Sequence, residues 1–593
     1  FQKLIPLLFL FTGITYTVNA QDSGPGGVGD DSSNRFWFIA DQIDQTDGSD
    51  VLNWNNLGGN TENAVDIGNP PSLKTNQLNG FSVLNFDSSI NEILEIPNNN
   101  DLNTSEPYSE RTFSMVIETG SDVTSRQMIY EEGGTARGLN FYINDGKLYY
   151  AGWNLVDDDS GGSASPWGFS SINTPISANS SYILTFVFNG NNTSTGTIEC
   201  YLNGSKKGTI NNIGLLYTHV GSIGLGRVND NSYIETGTTS NNHAFNGSIA
   251  EFIIYNFAIN DSERISVENY LSSKYAISLS GNDIYDQDLT ANGNYDYNLV
   301  SINRQSATDE HLITDQGTGL ISLSTNSMLN DNDYFSMGSD VLDQTQFGNI
   351  SCNTNGKDVS RLQSTWRIDK VGSFTPDIIF DLINSNADVT NTTDIEILID
   401  DNASFSSPVS VNPSTLTASE ATFTGLSIAD GDYITFDLAV ERIINNTIAG
   451  LALENELQFS FEANTIDQEN QTDVNTWSNT GQSNLNATTQ GNSPNIETNA
   501  LNGQKALNFD GSNSESFEIS NNAIINSGGA PYLQRTYSLV IETGSDITSR
   551  QVIYEEGGTT RGVNIYILNN ELYFGAFNNS NDGTASPWSF TSV

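Results

Sequence analysis

A chain of 593 residues is too long for one hydrophobic core, and 36% hydrophobic with 10% aromatic residues excludes a wholly disordered protein. Its 71 Asp and Glu against 22 Lys and Arg give a net charge of −49, which disfavours binding to nucleic-acid phosphates and anionic lipids. The acidic surface suits an exported protein and offers many oxygen ligands for Ca²⁺.

The first twenty residues, FQKLIPLLFLFTGITYTVNA, have the pattern of a secretory signal peptide with cleavage after Ala20. Lys3 precedes the apolar run of residues 4–11, which is too short to span a membrane, and no later stretch reaches the roughly 18 apolar residues needed. We therefore expect a secreted or cell-surface protein without a transmembrane segment. The missing initiator Met indicates that the sequence begins inside a longer one.

Residues 21–34 are rich in Gly, Ser and Asp and predict a linker. Residues 35–278 then show short stretches of period-two alternation separated by turn residues, including the hairpin signal Asp145-Gly146. At the end of this region the period changes. Asn260 and Glu263 predict a capping box that opens a helix, with four apolar residues on one face: Val267, Tyr270, Leu271 and Tyr275. The pattern predicts an antiparallel jelly-roll sandwich closed by one helix.

Residues 279–440 contain further short alternating strands and predict a smaller accessory β-sandwich, followed by a linker at 441–452. Residues 453–593 repeat the first jelly roll, since residues 535–567 match 111–143 at 26 of 33 positions. This second copy stops near the counterpart of Ile172. We therefore predict a truncated, all-β repeat whose half sandwich is not stable alone.

Several stretches resemble the laminin-G-like, concanavalin A-like lectin/glucanase jelly rolls of secreted multi-domain bacterial surface proteins: LNWNN and LNFD, IYEEGG with RGLNFYINDGKLYYAGWN, and above all IAEFIIYN followed by the capped helix and YLSSKYAISL. Residues 279–440, with VSINR and STWRIDKVG, look like the accessory β domain that follows such jelly rolls. The resemblance implies this fold but not one function, since the fold serves lectins, adhesion modules and glycosidases.

The strings YEEGGTARG and YEEGGTTRG place two adjacent glutamates near an arginine in both copies. Retaining glycosidases need two facing carboxyls about 5–5.5 Å apart and inverting ones about 6.5–9.5 Å apart. Successive strand residues point to opposite faces, which predicts strand-end and turn roles, although a cross-strand pair with Glu118 stays open. We assign no catalytic residue and keep six candidates for ligand binding: Glu131, Glu132, Arg137, Glu555, Glu556 and Arg561.

Aromatic residues supply the second set of ligand-binding candidates, because sugars stack on exposed rings. Trp153 and Trp167 flank an Asp- and Gly-rich loop, and Trp588 is the counterpart of Trp167 in the second copy. The alternative is that Trp153 packs in the core.

Calcium is a further expectation, since laminin-G-like domains often hold one Ca²⁺ at the sandwich rim. The candidate ligands are Asp157, Asp158 and Asp159 in one loop and Asp47 and Asp50 in another, with solvated loop acids as the alternative. The sequence implies no required cofactor. Cys200 and Cys352 are expected to be unpaired, and the three histidines have no zinc spacing.

These patterns predict a non-enzymatic exported surface protein whose jelly rolls bind carbohydrate or mediate adhesion, with glycans or extracellular ligands as partners. A carbohydrate-active hydrolase acting on O-glycosyl bonds is the alternative, and a structural spacer of a larger adhesin is the third hypothesis.

Overall fold

The computed structural model describes most of the chain between residues 24 and 592. The described residues are 24–103, 107–156, 166–190, 195–240, 242–315, 319–325, 329–352, 358–385, 389, 391–439, 447–448, 451–452, 457–481, 483, 485–501, 504–522, 524–525, 534–580 and 587–592. The chain divides into two compact units, Phe1–Val440 and Glu441–Val593.

The first unit begins with a large β-sandwich that is closed by helix α1 (Asp261–Tyr275). Its strands are β1 (Asn34–Ile39), β2 (Asn53–Trp54), β3 (Ala64–Asp66), β4 (Ser72–Leu78), β5 (Phe81–Phe86), β6 (Leu94–Ile96), β7 (Glu110–Thr119), β8 (Gln127–Gly133), β9 (Arg137–Asn144), β10 (Lys147–Asn154), β11 (Gly168–Pro175), β12 (Ser181–Asn189), β13 (Gly196–Leu202), β14 (Ser205–Ile213), β15 (Ile223–Leu225), β16 (Asn231–Ile234), β17 (Gly237–Ser240) and β18 (Gly247–Tyr255).

Two eight-stranded antiparallel sheets form the layers of this sandwich. Sheet 1 has the order β14-β13-β12-β7-β18-β5-β4, with β1 also paired to β18, and sheet 2 has the order β11-β10-β9-β8-β15-β6-β3-β2. Several strands that are neighbours in space, such as β7 and β18 or β8 and β15, are distant in sequence, as in a jelly roll. The predicted all-β jelly-roll architecture is therefore confirmed.

The core lies between the two sheets, where alternate residues of every long strand point inward. Phe113, Phe186 and Phe252 of sheet 1 pack against Tyr130 and Phe141 of sheet 2, with ring centroids 5.2–5.5 Å apart. Cys200 is a free thiol inside the same core.

Helix α1 covers the outer face of sheet 1. Its N-terminus has the predicted capping box, in which Asn260 accepts a hydrogen bond from the Glu263 amide at 2.9 Å and donates its own amide to the Glu263 carboxylate at 2.8 Å. The predicted apolar face packs on the outer side of sheet 1 through four residues: Val267, Tyr270, Leu271 and Tyr275.

A second, smaller sandwich follows the helix within the same unit. Its strands are β19 (Tyr297–Ser306), β20 (Asp309–His311), β21 (Ile313–Asp315), β22 (Ile321–Ser324), β23 (Tyr334–Ser339), β24 (Phe347–Cys352), β25 (Asp358–Leu362), β26 (Trp366–Val371), β27 (Asp377–Asp381), β28 (Ile395–Asp400), β29 (Val409–Val411), β30 (Thr415–Leu416), β31 (Glu420–Phe423) and β32 (Tyr433–Ala439). They form a nine-stranded sheet and a five-stranded sheet around a separate hydrophobic core.

The second sandwich packs on the side of α1 that faces away from sheet 1. Ser262 donates to the carbonyl of Asp309 at 2.7 Å, and Asn303 donates to the Ser266 hydroxyl at 3.0 Å. Small serines let the helix lie close to β19 and β20, so nearly the whole helix is buried between two sandwiches.

The Gly-rich segment at residues 24–28 is buried rather than exposed, which differs from the predicted linker. The Tyr255 hydroxyl of sheet 1 donates to the Pro25 carbonyl at 3.3 Å, and the Thr314 hydroxyl of the second sandwich donates to the Gly27 carbonyl at 3.3 Å. The segment enters this seam because Gly26 and Gly27 have no side chain and adopt φ values of 65° and 77°.

The second unit repeats the part of the first jelly roll that precedes β12, and most but not all of its strands recur. Its strands are β33 (Thr447–Ile448), β34 (Leu451–Ala452), β35 (Thr476–Trp477), β36 (Ala487–Thr489), β37 (Asn495–Leu501), β38 (Gln504–Asn508), β39 (Phe517–Ile519), β40 (Gln551–Gly557), β41 (Arg561–Leu568), β42 (Glu571–Asn578) and β43 (Trp588–Ser592). The bounds of β40, β41 and β42 are those of β8, β9 and β10 shifted by 424 residues.

None of the helices in the described part of the chain is long and apolar enough to span a membrane.

Candidate ligand-binding site

The paired glutamates of the first copy point to opposite sides of β8. Glu131 pairs with Asn140 and Glu132 with Leu139 on β9, and Leu139 belongs to the inner core. The exposed fractions of Glu131 and Glu132 are 1% and 0%. Glu118 lies on β7 of the other sheet. The two adjacent carboxyls therefore share no open groove.

Glu132 lies inside the sandwich at the centre of a polar cluster. Its carboxylate accepts hydrogen bonds from the hydroxyls of Tyr108 at 2.6 Å and Tyr130 at 2.5 Å, and lies 3.4 Å from the Arg111 guanidinium. Arg111 also lies over the Tyr108 ring at 3.8 Å. Burial raises the pKa of both tyrosines well above the ordinary value, so they remain hydrogen-bond donors to the carboxylate.

Arg111 is the cation of this cluster, and sequence reasoning missed it in favour of Arg137. The duplication carried the signal, because Arg111 and Arg535 are the first residues of the matched segments and are repeated in the same way as the glutamates. Such a fully buried ion pair with satisfied hydrogen bonds fixes the position of β8 against β7.

Glu131 points away from the core and is covered by a loop. We call residues 226–240 the covering loop; its Val228 and Ile234 pack on the outer face of sheet 2. The Asn229 amide donates to Glu131 Oε1 at 3.0 Å, whereas Oε2 has no partner among the described residues. Burial raises the pKa of Glu131 to about 8, and neighbouring carboxylates add to the shift. Glu131 is thus held as a largely neutral acid at pH 7.

The turn after the glutamates is held by two contacts. Arg137 donates to the Thr218 carbonyl at 2.9 Å and lies 5.2 Å from the Tyr217 ring. The Trp153 indole donates to the Gly134 carbonyl at 2.9 Å. The repeated string is therefore built into the jelly roll on both sides of β8.

The three candidate tryptophans differ in exposure. Trp153 is fully buried and offers no ring face to a ligand. Trp167 is half-buried, lies 6.5 Å from the Phe188 ring and donates its indole hydrogen to the Leu215 carbonyl at 3.0 Å. Trp588 of the second copy has an exposed fraction of 48%.

Accessible side chains occur instead along the edge strand β11, on the outer face of sheet 2. Phe169, Ser171 and Asn173 pair with Trp153, Ala151 and Tyr149 of β10 and share their face. Asn173 is exposed, and the other two are half-buried. The half-buried Tyr233 ring of the covering loop lies 5.5 Å from Phe169. We call Phe169, Ser171, Asn173 and Tyr233 the outer-face row.

The second copy keeps part of this chemistry in a more open setting. The Tyr554 hydroxyl donates to Glu556 at 2.8 Å, as Tyr130 does to Glu132. Glu555 and Arg561 are exposed.

The predicted metal ligands form no cluster in the described part of the chain, where no group of three or more His, Cys, Asp or Glu is arranged to hold a metal ion. Asp47 accepts a hydrogen bond from the Thr75 amide at 2.9 Å, and Asp50 forms a backbone bridge to Ser72. Asp157, Asp158 and Asp159 lie outside the described residues.

No protein-family model matches this sequence, and no curated protein sequence matches it significantly. Among solved structures, a SAP-like pentraxin from Limulus polyphemus matches at 16% identity and TM-score 0.22, covering 30% of this chain and 75% of that chain. The CBM40 of a Ruminococcus gnavus IT-sialidase, bound to α2,6 sialyllactose, matches at 16% identity and TM-score 0.21, covering 30% and 96%. The botulinum neurotoxin serotype D binding domain matches at 10% identity and TM-score 0.29, covering 81% and 92%. TM-scores this low do not support an inference about function.

Proposed function

We propose that this protein is an exported, laminin-G-like surface protein whose first jelly roll binds carbohydrate at the outer-face row. The observation that carries the proposal is the alignment of a ring, a hydroxyl and an amide, Phe169, Ser171 and Asn173, on the accessible face of an edge strand. Tyr233 adds a second ring 5.5 Å from the first.

These side chains are suited to binding a sugar. The C–H face of a pyranose packs on an aromatic ring, and its hydroxyl groups exchange hydrogen bonds with amides and hydroxyls. Because the rings are backed by the buried Trp153 and by the covering loop, they are held in place before a ligand arrives. Such preorganisation lowers the entropic cost of binding.

The Glu131–Glu132 pair does not favour the hydrolase alternative. A glycosidase needs two carboxyls that face each other across a cleft, whereas these two are buried on opposite faces of β8. Glu132 is surrounded by donors inside the core, and Glu131 lies beneath the covering loop.

A glycan array probed with the chain from residue 21 onward, with Ca²⁺ and with a chelator, tests the proposal. We expect Phe169→Ala and Tyr233→Ala each to weaken binding of the recognised glycan at least tenfold. Phe257→Ala is the matched control, since Phe257 is also half-buried but lies against the core on the outer side of sheet 1. Equal losses in all three variants, or no glycan bound under any condition, would overturn the proposal, and the second result favours a spacer.

A reducing-sugar release assay on the same glycans separates binding from hydrolysis. We expect no release by the wild-type chain. Release that is abolished by Glu131→Gln or Glu132→Gln, with folding intact by circular dichroism, would establish the hydrolase instead. Loss of glycan binding in chelator would add the calcium requirement that laminin-G-like domains often have.

Export is part of the same proposal and rests on residues 1–20. Amino-terminal sequencing of protein recovered outside the cell is expected to begin at Gln21. Retention of the chain in the cytoplasm would contradict a surface role.

A further inference from the structure

A cleft lies at the seam between the two sandwiches of the first unit, remote from the outer-face row. Asp41, Asn79 and Phe81 of the jelly roll form one wall, and Tyr297, Asp340 and Leu342 of the second sandwich form the other. The cavity has a volume of about 360 Å³, within the range of small-molecule sites.

The floor of the cleft is aromatic. The rings of Phe81 and Tyr297 meet edge to face with centroids 5.8 Å apart, and Phe81 meets Tyr275 of α1 in the same way at 5.6 Å. A smaller cavity continues beneath them to Lys274. The site is therefore supported from below by the helix that joins the two sandwiches.

Lys274 is the single base among the described residues that line the two cavities, and its charge is already neutralised. Its ammonium donates to the fully buried Glu251 at 2.7 Å and to the Tyr270 hydroxyl at 3.1 Å. Trp37 and Tyr275 complete the shell of donors around the same carboxylate. The pair thus contributes almost no net charge to the cleft.

Among the described residues, neither rim carboxylate, Asp41 or Asp340, lies in an ion pair such as that of Lys274 and Glu251. Asp41 Oδ1 accepts from the Ser82 amide and hydroxyl, both at 2.9 Å, and Asp340 Oδ1 accepts from the Thr365 amide at 2.8 Å. These bonds orient both carboxylates and leave a second oxygen on each. A third acid, Asp296, lies behind Asn79 and accepts its amide at 2.9 Å. The field in the cleft is therefore negative.

We propose that the seam cleft is a second binding site, which takes a saccharide carrying a primary ammonium group. Two oriented carboxylates provide charge-assisted acceptors for the three N–H donors of such a group, and the half-buried Tyr297 ring packs against the C–H face of the sugar. The volume fits one or two sugar units, and a net charge of −49 on the chain disfavours acidic sugars at the same place.

Calorimetric titration of the full chain with two disaccharides tests the proposal. The β-1,4-linked glucosamine disaccharide carries ammonium groups, whereas its N-acetylated form is neutral and has the same backbone. We expect binding of the first at least tenfold tighter than of the second. Asp41→Asn and Asp340→Asn should each weaken it at least tenfold, because each keeps the accepting oxygen but loses the charge.

Two controls exclude simple attraction to an acidic surface. Asp145→Asn removes an equal charge from an exposed hairpin turn. Asparagine tolerates the φ of 51° at this position, so the variant should fold normally and leave the affinity unchanged. Leu342→Trp fills the cleft without altering charge and should abolish binding. An equal loss in Asp145→Asn, or equal affinities for the two disaccharides, would overturn the proposal.

The outer-face row is tested independently in the same titration. Phe169→Ala should leave glucosamine binding unchanged, because that ring belongs to a different face of the jelly roll. Loss of glucosamine binding in Phe169→Ala would mean that the ammonium ligand occupies the outer-face row and would overturn the second site.

Discussion

Glu131 illustrates how a residue far away in sequence sets the state of an ionisable side chain. Asn229 of the covering loop donates to one carboxylate oxygen, but the second oxygen is buried without a described partner. An ionised carboxylate in this place would be largely desolvated, which is why burial raises its pKa to about 8. The neutral acid is the form that the fold accommodates.

Glu131→Gln is expected to change how stability depends on pH. The folded pKa of about 8 lies above the ordinary value of 4.5, so the folded state holds the proton more tightly than the unfolded state does. The contribution of this group to stability is therefore complete below pH 4.5 and is lost as pH rises through 8. The variant cannot ionise, so its free energy of unfolding at pH 8.5 should exceed that of wild type by on the order of 4 kcal/mol, as measured by urea unfolding at several pH values.

Glu110→Gln provides the control for this experiment. It removes a carboxyl group from an exposed position of β7 in the same jelly roll, so it should not bring the gain in stability at high pH that is expected of Glu131→Gln. Identical pH profiles for Glu131→Gln and wild type would show that Glu131 ionises freely in the folded state.

The opposite orientation of Glu131 and Glu132 follows from strand alternation and is visible in the sequence. The burial of these two side chains is not visible in the sequence, because it depends on partners about 20 to 100 residues away. Tyr108 and Arg111 reach Glu132 from a neighbouring segment, and Asn229 reaches Glu131 from the covering loop. Local patterns predict which way a side chain points, but long-range pairing decides what it meets.

At the scale of elements, the segment around Gly27 joins the two sandwiches of the first unit. Its composition is typical of a linker, yet its carbonyl groups accept hydrogen bonds from Tyr255 on one side and Thr314 on the other. A run of glycines has no apolar periodicity, so the sequence contains no signal that this segment is buried.

Gly27→Ala is expected to destabilise the first unit by roughly 2–4 kcal/mol. A β-carbon at this position would lie 1.6 Å from the Thr314 hydroxyl oxygen and 2.7 Å from the Asp315 carbonyl oxygen, with φ at +77°. The segment must then shift or leave the seam. Thermal unfolding measures the loss, and limited proteolysis shows whether residues 24–30 become accessible.

Gly134→Ala is the matched control, because nothing lies within 4 Å of a β-carbon added there. It should unfold like wild type. Equal melting temperatures for both variants would mean that the Gly27 segment does not contribute to the stability of the seam.

Helix α1 shows which contacts sequence periodicity can predict and which it cannot. The capping box and the apolar face were predicted from local spacing, and both are confirmed. The second contact face, made of Ser262 and Ser266, was not predicted because serines are typical of solvent-exposed helix positions. It is buried only because β19 and β20 pack against it.

At the scale of the whole chain, alternation and turn residues were enough to predict β-sandwiches and their order. The seam cleft could not be predicted in this way. Asp41, Phe81, Tyr297 and Asp340 come from strand ends and turns of two sandwiches, and their meeting depends on how both pack around α1.

The second unit can be used to test which strands a jelly roll needs in order to be stable. In the first copy, β7 pairs with β12 and β18, and these two strands have no counterpart in the repeated segment. Residues 534–543, the repeat of β7, accordingly form no strand. Several apolar side chains of this unit are exposed, with Val540 at 88%, Val552 at 59% and Phe574 at 54%.

Separate expression of residues 21–440 and 451–593 should therefore give different results. The first fragment contains two closed cores and is expected to unfold cooperatively on heating. The second leaves one face of a sheet in water, so we expect no cooperative transition and strong binding of the dye ANS, which reports exposed apolar surface. A cooperative transition without dye binding for residues 451–593 would show that β40 to β43 form a stable sheet without counterparts of β12 and β18. Packing against a complete opposite sheet would then not be what holds these strands together.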